Sequence, residues 1–122
     1  MTATPSAVRS RPGDLMLYII NEAHYTLLVI KTFADKSTKE FWDTGKSQRM
    51  PPANLRKASR KKLAMLNSAA TLDDLRIPRG NRLEELQHDR RGQHSIAIND
   101  QFRVCFVWRD GDAYDVEITD YH

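Results

Sequence analysis

An α+β fold, a small twisted antiparallel-rich β-sheet with two N-terminal helices packed on one face, is predicted by three features of the 122-residue chain. Phe102, Val104, Phe106 and Trp108 alternate with Arg103, Cys105, Val107 and Arg109, the period-two pattern of a strand with one buried face. Turn residues flank that stretch at Asn99-Asp100 and at Asp110-Gly111-Asp112, so its neighbours along the chain are hairpin partners. Leu55, Ala58, Ser59, Leu63, Leu66 and Ala70 recur at helical spacing.

The elements follow in order. Leu27 to Phe33 is apolar and β-branched, which suits a buried strand. Asp35 can then cap a helix running to about Thr44, with Gly45 placed to end it. Pro51 and Pro52 stand where a helix start tolerates proline, and the second helix carries Arg56, Lys57, Arg60 and Lys61 on its outer side, a basic strip expected to project into solvent. Thr71 to Gly80 holds a short turn of helix ended by Pro78 and Gly80, and Arg82 to Leu86 a short strand. After a polar loop from Gln87 to Gln93 come three clearer strands: Ser95 to Asn99, Phe102 to Trp108 and Ala113 to Thr119. If Trp108 and Tyr114 share the buried face, the last hairpin needs an odd loop such as Asp110-Gly111-Asp112, which sets Arg103 across from Thr119 and diagonal to Tyr121 on an open face. Asp120 and His122 point the other way in an ideal strand.

This length supports one hydrophobic core and is too short for two ordinary domains. Residues 1–28, rich in Ser, Thr, Pro and Gly from Thr2 to Gly13, form an N-terminal extension, and 29–122 the folded domain. Val29 is expected to be the natural first residue, since a GUG codon reads as methionine when it initiates and as valine elsewhere; otherwise the extension is a flexible or partner-binding arm. The intact mass of the native protein distinguishes these. Asn21, Glu22 and His24 interrupt the apolar stretch from Leu15 to Ile30, which excludes a membrane span there, and no secretion signal precedes it. Cys105, the single cysteine, cannot form an internal disulfide, and the cytoplasm is the expected compartment. His24, His88, His94 and Cys105 lack metal-ligand spacing.

Net charge is +3, unevenly spread: residues 31–70 hold ten Lys/Arg against three Asp/Glu, while 71–122 hold seven against eleven. The basic half is the better nucleic-acid surface. Arg103 on one strand, with Asp120, Tyr121 and His122 at the end of the next, supplies a guanidinium, a carboxylate, a phenol and an imidazole. Such a set can cut RNA without metal: one group takes the 2′-hydroxyl proton, another protonates the leaving oxygen, and the guanidinium steadies the phosphate charge. The plainer reading of Arg103 is a strand arginine paired with Glu117 or Asp115. Glu84 and Glu85, being adjacent, face opposite ways on a strand and cannot act as one pair.

The stretches Asp74-Leu-Arg-Ile-Pro-Arg-Gly-Asn-Arg-Leu-Glu84, Asp89-Arg90, Gly92-Gln-His-Ser-Ile96, Ile98-Asn-Asp-Gln-Phe-Arg103 and Asp120-Tyr-His122 resemble HigB toxins of the RelE/ParE superfamily, the plasmid maintenance killer proteins. The likeness spans roughly Ile30 to His122. It implies a RelE-like microbial ribonuclease fold and the toxin of a type II toxin–antitoxin pair, an endoribonuclease that cuts messenger RNA in the ribosomal A site and so inhibits translation, with no metal or other cofactor. Its implied partners are a HigA-type helix-turn-helix antitoxin, the ribosome with its messenger, and operator DNA through the antitoxin. Carried over by residue, Arg103 stabilises phosphate charge, His122 donates or accepts a proton, and Asp120 and Tyr121 orient the RNA or the imidazole. Arg56, Lys57, Arg60, Lys61, Arg82, Arg90 and Arg91 contact RNA phosphates, which fix position and not sequence.

The chain departs from that pattern at two places. It has His94-Ser95-Ile96-Ala97 where many relatives have Trp-Ser-Ile-Arg, and Glu84 where relatives with an active-site histidine before this strand carry it. Two other functions stay open. A weakly or non-catalytic toxin acting with its antitoxin at operator DNA would leave transcripts whole and bind DNA in a salt-sensitive way. A ParE-like gyrase inhibitor would induce DNA damage without transcript cleavage.

Overall fold

The computed structural model describes residues 28–47 and 49–120. Among the described residues the α-helices are α1, Lys36–Thr44, and α2, Arg56–Ser68; the strands that follow are β1 Glu84–Glu85, β2 His94–Ala97, β3 Phe102–Arg109 and β4 Asp112–Asp120. The sheet is antiparallel throughout in the order β1-β2-β3-β4. These elements bear out the α+β class.

Local chemistry sets the helix ends. The Asp35 side chain accepts from the Thr38 N–H at 3.1 Å, and Gly45 at φ 79° closes α1 by donating to the Phe41 carbonyl at 2.7 Å. A short 3₁₀ turn, Ala53–Leu55, lies between the prolines and α2. The second helix ends at Ser68, so Ala69, and not the expected Ala70, is the buried alanine there. Thr71 and Asp74 form a reciprocal capping box on the 3₁₀ turn Leu72–Arg76, which holds the Asp74 carboxyl below its usual range through N–H bonds from Thr71 and Ala70.

One face of the sheet is apolar. Ile96, Val104, Phe106, Val116 and Ile118 join Phe41 of α1 and Leu63 and Leu66 of α2 in a single cluster, all but Ile118 within 1% of full burial.

The segment expected as a strand over Leu27 to Phe33 lies alongside β4 and bridges to it in parallel at Ile30↔Ala113 and Phe33↔Val116. The Asn67 amide oxygen accepts from the N–H groups of both Val29 and Ile30, fastening this edge to the end of α2. Beyond Val116, among the described residues, that edge has no further strand pairing, and the Thr38 hydroxyl accepts the Ile118 N–H at 3.1 Å instead.

The last hairpin differs from expectation. Arg109 pairs with Asp112, so the turn has two residues, Asp110 at φ 53° and Gly111 at φ 82°, both in the left-handed region that suits a tight hairpin. Tyr114 therefore pairs with Val107 and leaves the Trp108 face; the Arg109 guanidinium lies 4.1 Å over its ring. A bulge between Cys105 and Val107 then adds one residue on β4, where Asp115 takes φ 52° and donates its N–H to the Thr32 hydroxyl at 2.8 Å. This extra residue restores the register, so Arg103 does face Thr119.

Candidate active site on the polar face of the sheet

The face of β3 opposite the helices carries Arg103 and Cys105, and its cross-strand neighbours are Ala97 and Ser95 on β2, Thr119 and Glu117 on β4, and, beyond Ser95, Glu84 on β1. The expectation of an open face is corrected here. Ser95 and Cys105 are fully buried, Ala97 is 2% exposed and Arg103 8%. A buried guanidinium needs partners, and among the described residues three surround it.

Arg103 Nε donates to the Ser95 hydroxyl at 2.6 Å, and Nη2 donates to the Arg82 carbonyl at 2.6 Å and lies 3.2 Å from the Glu84 carboxylate. Each anchor comes from a different place in the chain. Ser95 is positioned by the β2–β3 ladder, Glu84 by its pairing with Ser95, and the Arg82 carbonyl by a left-handed backbone at φ 45° that follows the 3₁₀ turn Arg79–Asn81. Among the described residues Nη1 has no hydrogen-bonding partner, so one edge of the guanidinium is left for a ligand. Glu84 keeps about half its side chain (51%) in solvent beside it. The plainer pairing expected from sequence is thus corrected: Arg103 meets Glu84, while Glu117 meets Arg90 at 3.2 Å.

Cys105 sits among these charges. Burial first, then the Glu117 and Glu84 carboxylates, push its thiol up to about 11 against the pull of Arg90 and Arg103, so it stays protonated and serves packing. Burial works against the charge on Arg90, but its bond to Glu117 and the neighbouring Glu117 and Asp89 charges together raise its pKa.

Asp120 pairs with Phe102, one position along from Arg103, and so alternates to the other side of the sheet, where its Oδ2 accepts from the Gln101 amide at 2.9 Å. The Arg103 and Asp120 side chains are not brought together in this register. Tyr121 and His122, like residues 1–27, lie outside the described residues.

The seven basic residues expected at RNA fall into two groups. Lys57, Arg60, Lys61 and Arg91 are exposed, Arg60 also lying 6.0 Å over the Phe41 ring. Arg82 is exposed but holds the Asn99 carbonyl at 3.1 Å and Asp100 at 3.4 Å, and Arg90 is bound to Gln93 and Glu117. Arg56 corrects the solvated strip: its Nη2 donates to the Ser47 carbonyl at 2.8 Å, and its Nε is buried.

Sequence reasoning missed Ser95, the Arg82 carbonyl and Asn81. Asn81 is fully buried, donates to the Leu75 and Ile77 carbonyls and accepts from Lys62 at 2.6 Å, so it fixes the turn that presents the Arg82 carbonyl to Arg103. Burial, and then the nearby Lys61 charge, lowers the Lys62 pKa. All three lie within the stretches that carry the resemblance, which was the available signal. A groove of about 560 Å³ lined by Ile30, Phe33, Lys39 and Trp42 lies at the other edge of the sheet, away from these anchors.

Residues 31–122 match a family described as RelE-like toxin of type II toxin–antitoxin system HigB. Toxin HigB-1 of Vibrio cholerae serotype O1 is 41% identical over 81 residues, covering 66% of this chain and 85% of that protein. Endoribonuclease HigB of Proteus vulgaris is 28% identical over 94 residues, 77% of this chain and all of that protein. An uncharacterized protein of Haemophilus influenzae is 30% identical over 81 residues, 66% of this chain and 80% of its own length.

Proposed function

Because the chain belongs to the HigB family of RelE-like toxins of type II toxin–antitoxin systems, we propose that it arrests growth by cutting messenger RNA on the ribosome, as a metal-independent endoribonuclease. A toxin of this type has an antitoxin partner; a HigA-type helix-turn-helix protein fits that role and would carry the pair to operator DNA. The ribosome and its messenger are the targets, and the cytoplasm is where they meet. No helix among the described residues is long and apolar enough to cross a membrane.

One observation carries this reading: the Arg103 guanidinium, held by the Ser95 hydroxyl, the Arg82 carbonyl and Glu84, has its Nη1 edge unclaimed among the described residues. A fixed guanidinium with a spare edge suits a phosphate whose charge grows in the transition state, because no reorganisation is needed as the charge develops. His122, three residues beyond the Thr119 that faces Arg103, moves a proton, and Asp120 and Tyr121 orient the RNA or that imidazole. Lys57, Arg60, Lys61 and Arg91 meet phosphates, with Arg56, Arg82 and Arg90 contributing charge from the positions where the protein already holds them. Residues 29–122 make up the toxin domain, after an extension over 1–28.

Induction in bacteria followed by mapping of transcript ends tests the proposal. The parent protein is expected to arrest growth and yield new ends within coding regions. Arg103→Ala is expected to lower cleavage about 100- to 1000-fold, and His122→Gln about 100-fold or more. If both variants cut as well as the parent does, these roles are wrong.

A further inference from the structure

We propose that Lys62 and Asn81 are positioning residues of the cleavage reaction, acting through the Arg82 carbonyl to hold the Arg103 guanidinium where it offers Nη1 to a phosphate; the inference rests on the endoribonuclease reading above. The contact between Arg103 Nη2 and that carbonyl, 2.6 Å long, depends on backbone that does not hold itself. Arg82 has φ 45° and ψ 55°, in the left-handed region, which a non-glycine residue keeps only where its surroundings hold it. Relaxation to the right-handed region would turn the carbonyl away from Arg103. The preceding residue supplies the hold: Asn81 is fully buried, its backbone N–H donates to the Pro78 carbonyl at 3.0 Å, and its side-chain Nδ2 donates to the Leu75 and Ile77 carbonyls at 3.1 Å and 3.4 Å. Lys62 on α2 settles which way round this amide sits. Lysine only donates and a carbonyl only accepts, so Oδ1 must face the Lys62 Nζ, at 2.6 Å, while Nδ2 faces the carbonyls. Met65, three residues along the same helix, adds its Sδ 3.8 Å from Nδ2. The second helix thus reaches the active-site guanidinium through Lys62, Asn81 and Arg82.

Lys62 differs from the cations beside it. Lys57, Arg60 and Lys61 are exposed, whereas Lys62 is half-buried and directs its ammonium at a buried amide. Exposed cations act on phosphate charge and so set affinity. A cation bonded inside the fold acts on geometry, and a misplacement of about 1 Å at a reacting group is enough to cost about 100-fold in rate. Without Lys62, the Asn81 Oδ1 is left buried without its donor, and the amide loses the contact that orients it.

The test measures kcat and KM for cleavage of ribosome-bound messenger by purified protein, with thermal unfolding of each variant as a folding check and the Arg103 Nε–H resonance followed by NMR. Lys62→Met keeps the apolar stem and removes the donor. It is expected to lower kcat about 10- to 100-fold while KM changes by less than about twofold, and to shift and broaden the Arg103 signal. Lys62→Arg, which keeps a donor, is expected to recover most of the lost kcat and the parent signal, a rescue that loss of packing alone does not give. Lys61→Met, its neighbour on the exposed side, is expected to act mainly on KM. Asn81→Ala is expected to lose at least as much kcat as Lys62→Met. A parent protein that leaves messenger intact overturns the endoribonuclease reading, and an unmoved Arg103 signal in Lys62→Met then overturns the positioning as well. Where the parent cleaves, a folded Lys62→Met protein with the parent kcat overturns this inference alone, as does one whose loss lies in KM, which would make Lys62 a phosphate contact.

Discussion

The two faces of β3 are buried to nearly the same degree by opposite means. Val104 and Phe106 are sealed in an apolar cluster with α1 and α2, whereas Arg103 and Cys105 are sealed by hydrogen bonds and paired charges from β1, β2, β4 and the Arg82–Gln93 connection. The first face is stabilised by area removed from water and tolerates shape-conserving exchange. The second is stable only while each polar group keeps its partner, so it is fixed in geometry and poor in spare stability. A site that must hold a guanidinium still belongs on the second kind of face.

Phe106→Ala gives the largest expected effect on stability, a loss of about 3–5 kcal/mol, because a fully buried ring in the cluster shared by the sheet and the helices is replaced by a cavity. Urea unfolding at neutral pH measures it; a loss under about 1 kcal/mol would mean that the helix-covered face is not the principal core. Ser95→Ala is expected to cost less, about 1–3 kcal/mol, since it leaves the Arg103 Nε without its acceptor. The same variant is expected to lose cleavage out of proportion to that change, because Arg103 is then free to turn. Equal small losses in both would make Ser95 a packing residue only.

Legibility differs between the faces in the same way. Periodicity and turn residues placed α1, α2 and the three long strands to within a residue or two at most ends, because hydrophobic burial repeats along a strand or helix and so is written locally. Asp35 and Gly45 marked the ends of α1 for the same reason. The polar face was less readable, since its partners are far apart in sequence: Arg103 meets Glu84 only because β1 is the strand beyond β2. The β4 bulge shows the gap well. A two-residue turn at Asp110-Gly111 and an extra residue at Asp115 together give the register that one odd loop would have given, so the Arg103↔Thr119 pairing was foreseen while the Tyr114 face was not. A lone non-glycine residue at positive φ, such as Asp115 or Arg82, leaves no periodic trace.

The most direct test of an anchored guanidinium as the centre of this toxin is Arg103→Lys, assayed for cleavage of ribosome-bound messenger alongside its thermal unfolding. Lysine keeps the positive charge but cannot hold the Ser95 hydroxyl, the Arg82 carbonyl and the Glu84 carboxylate while presenting a further edge to phosphate. The predicted result is a folded protein whose cleavage falls about 100-fold or more. A folded lysine variant that cuts messenger at the parent rate would contradict the account.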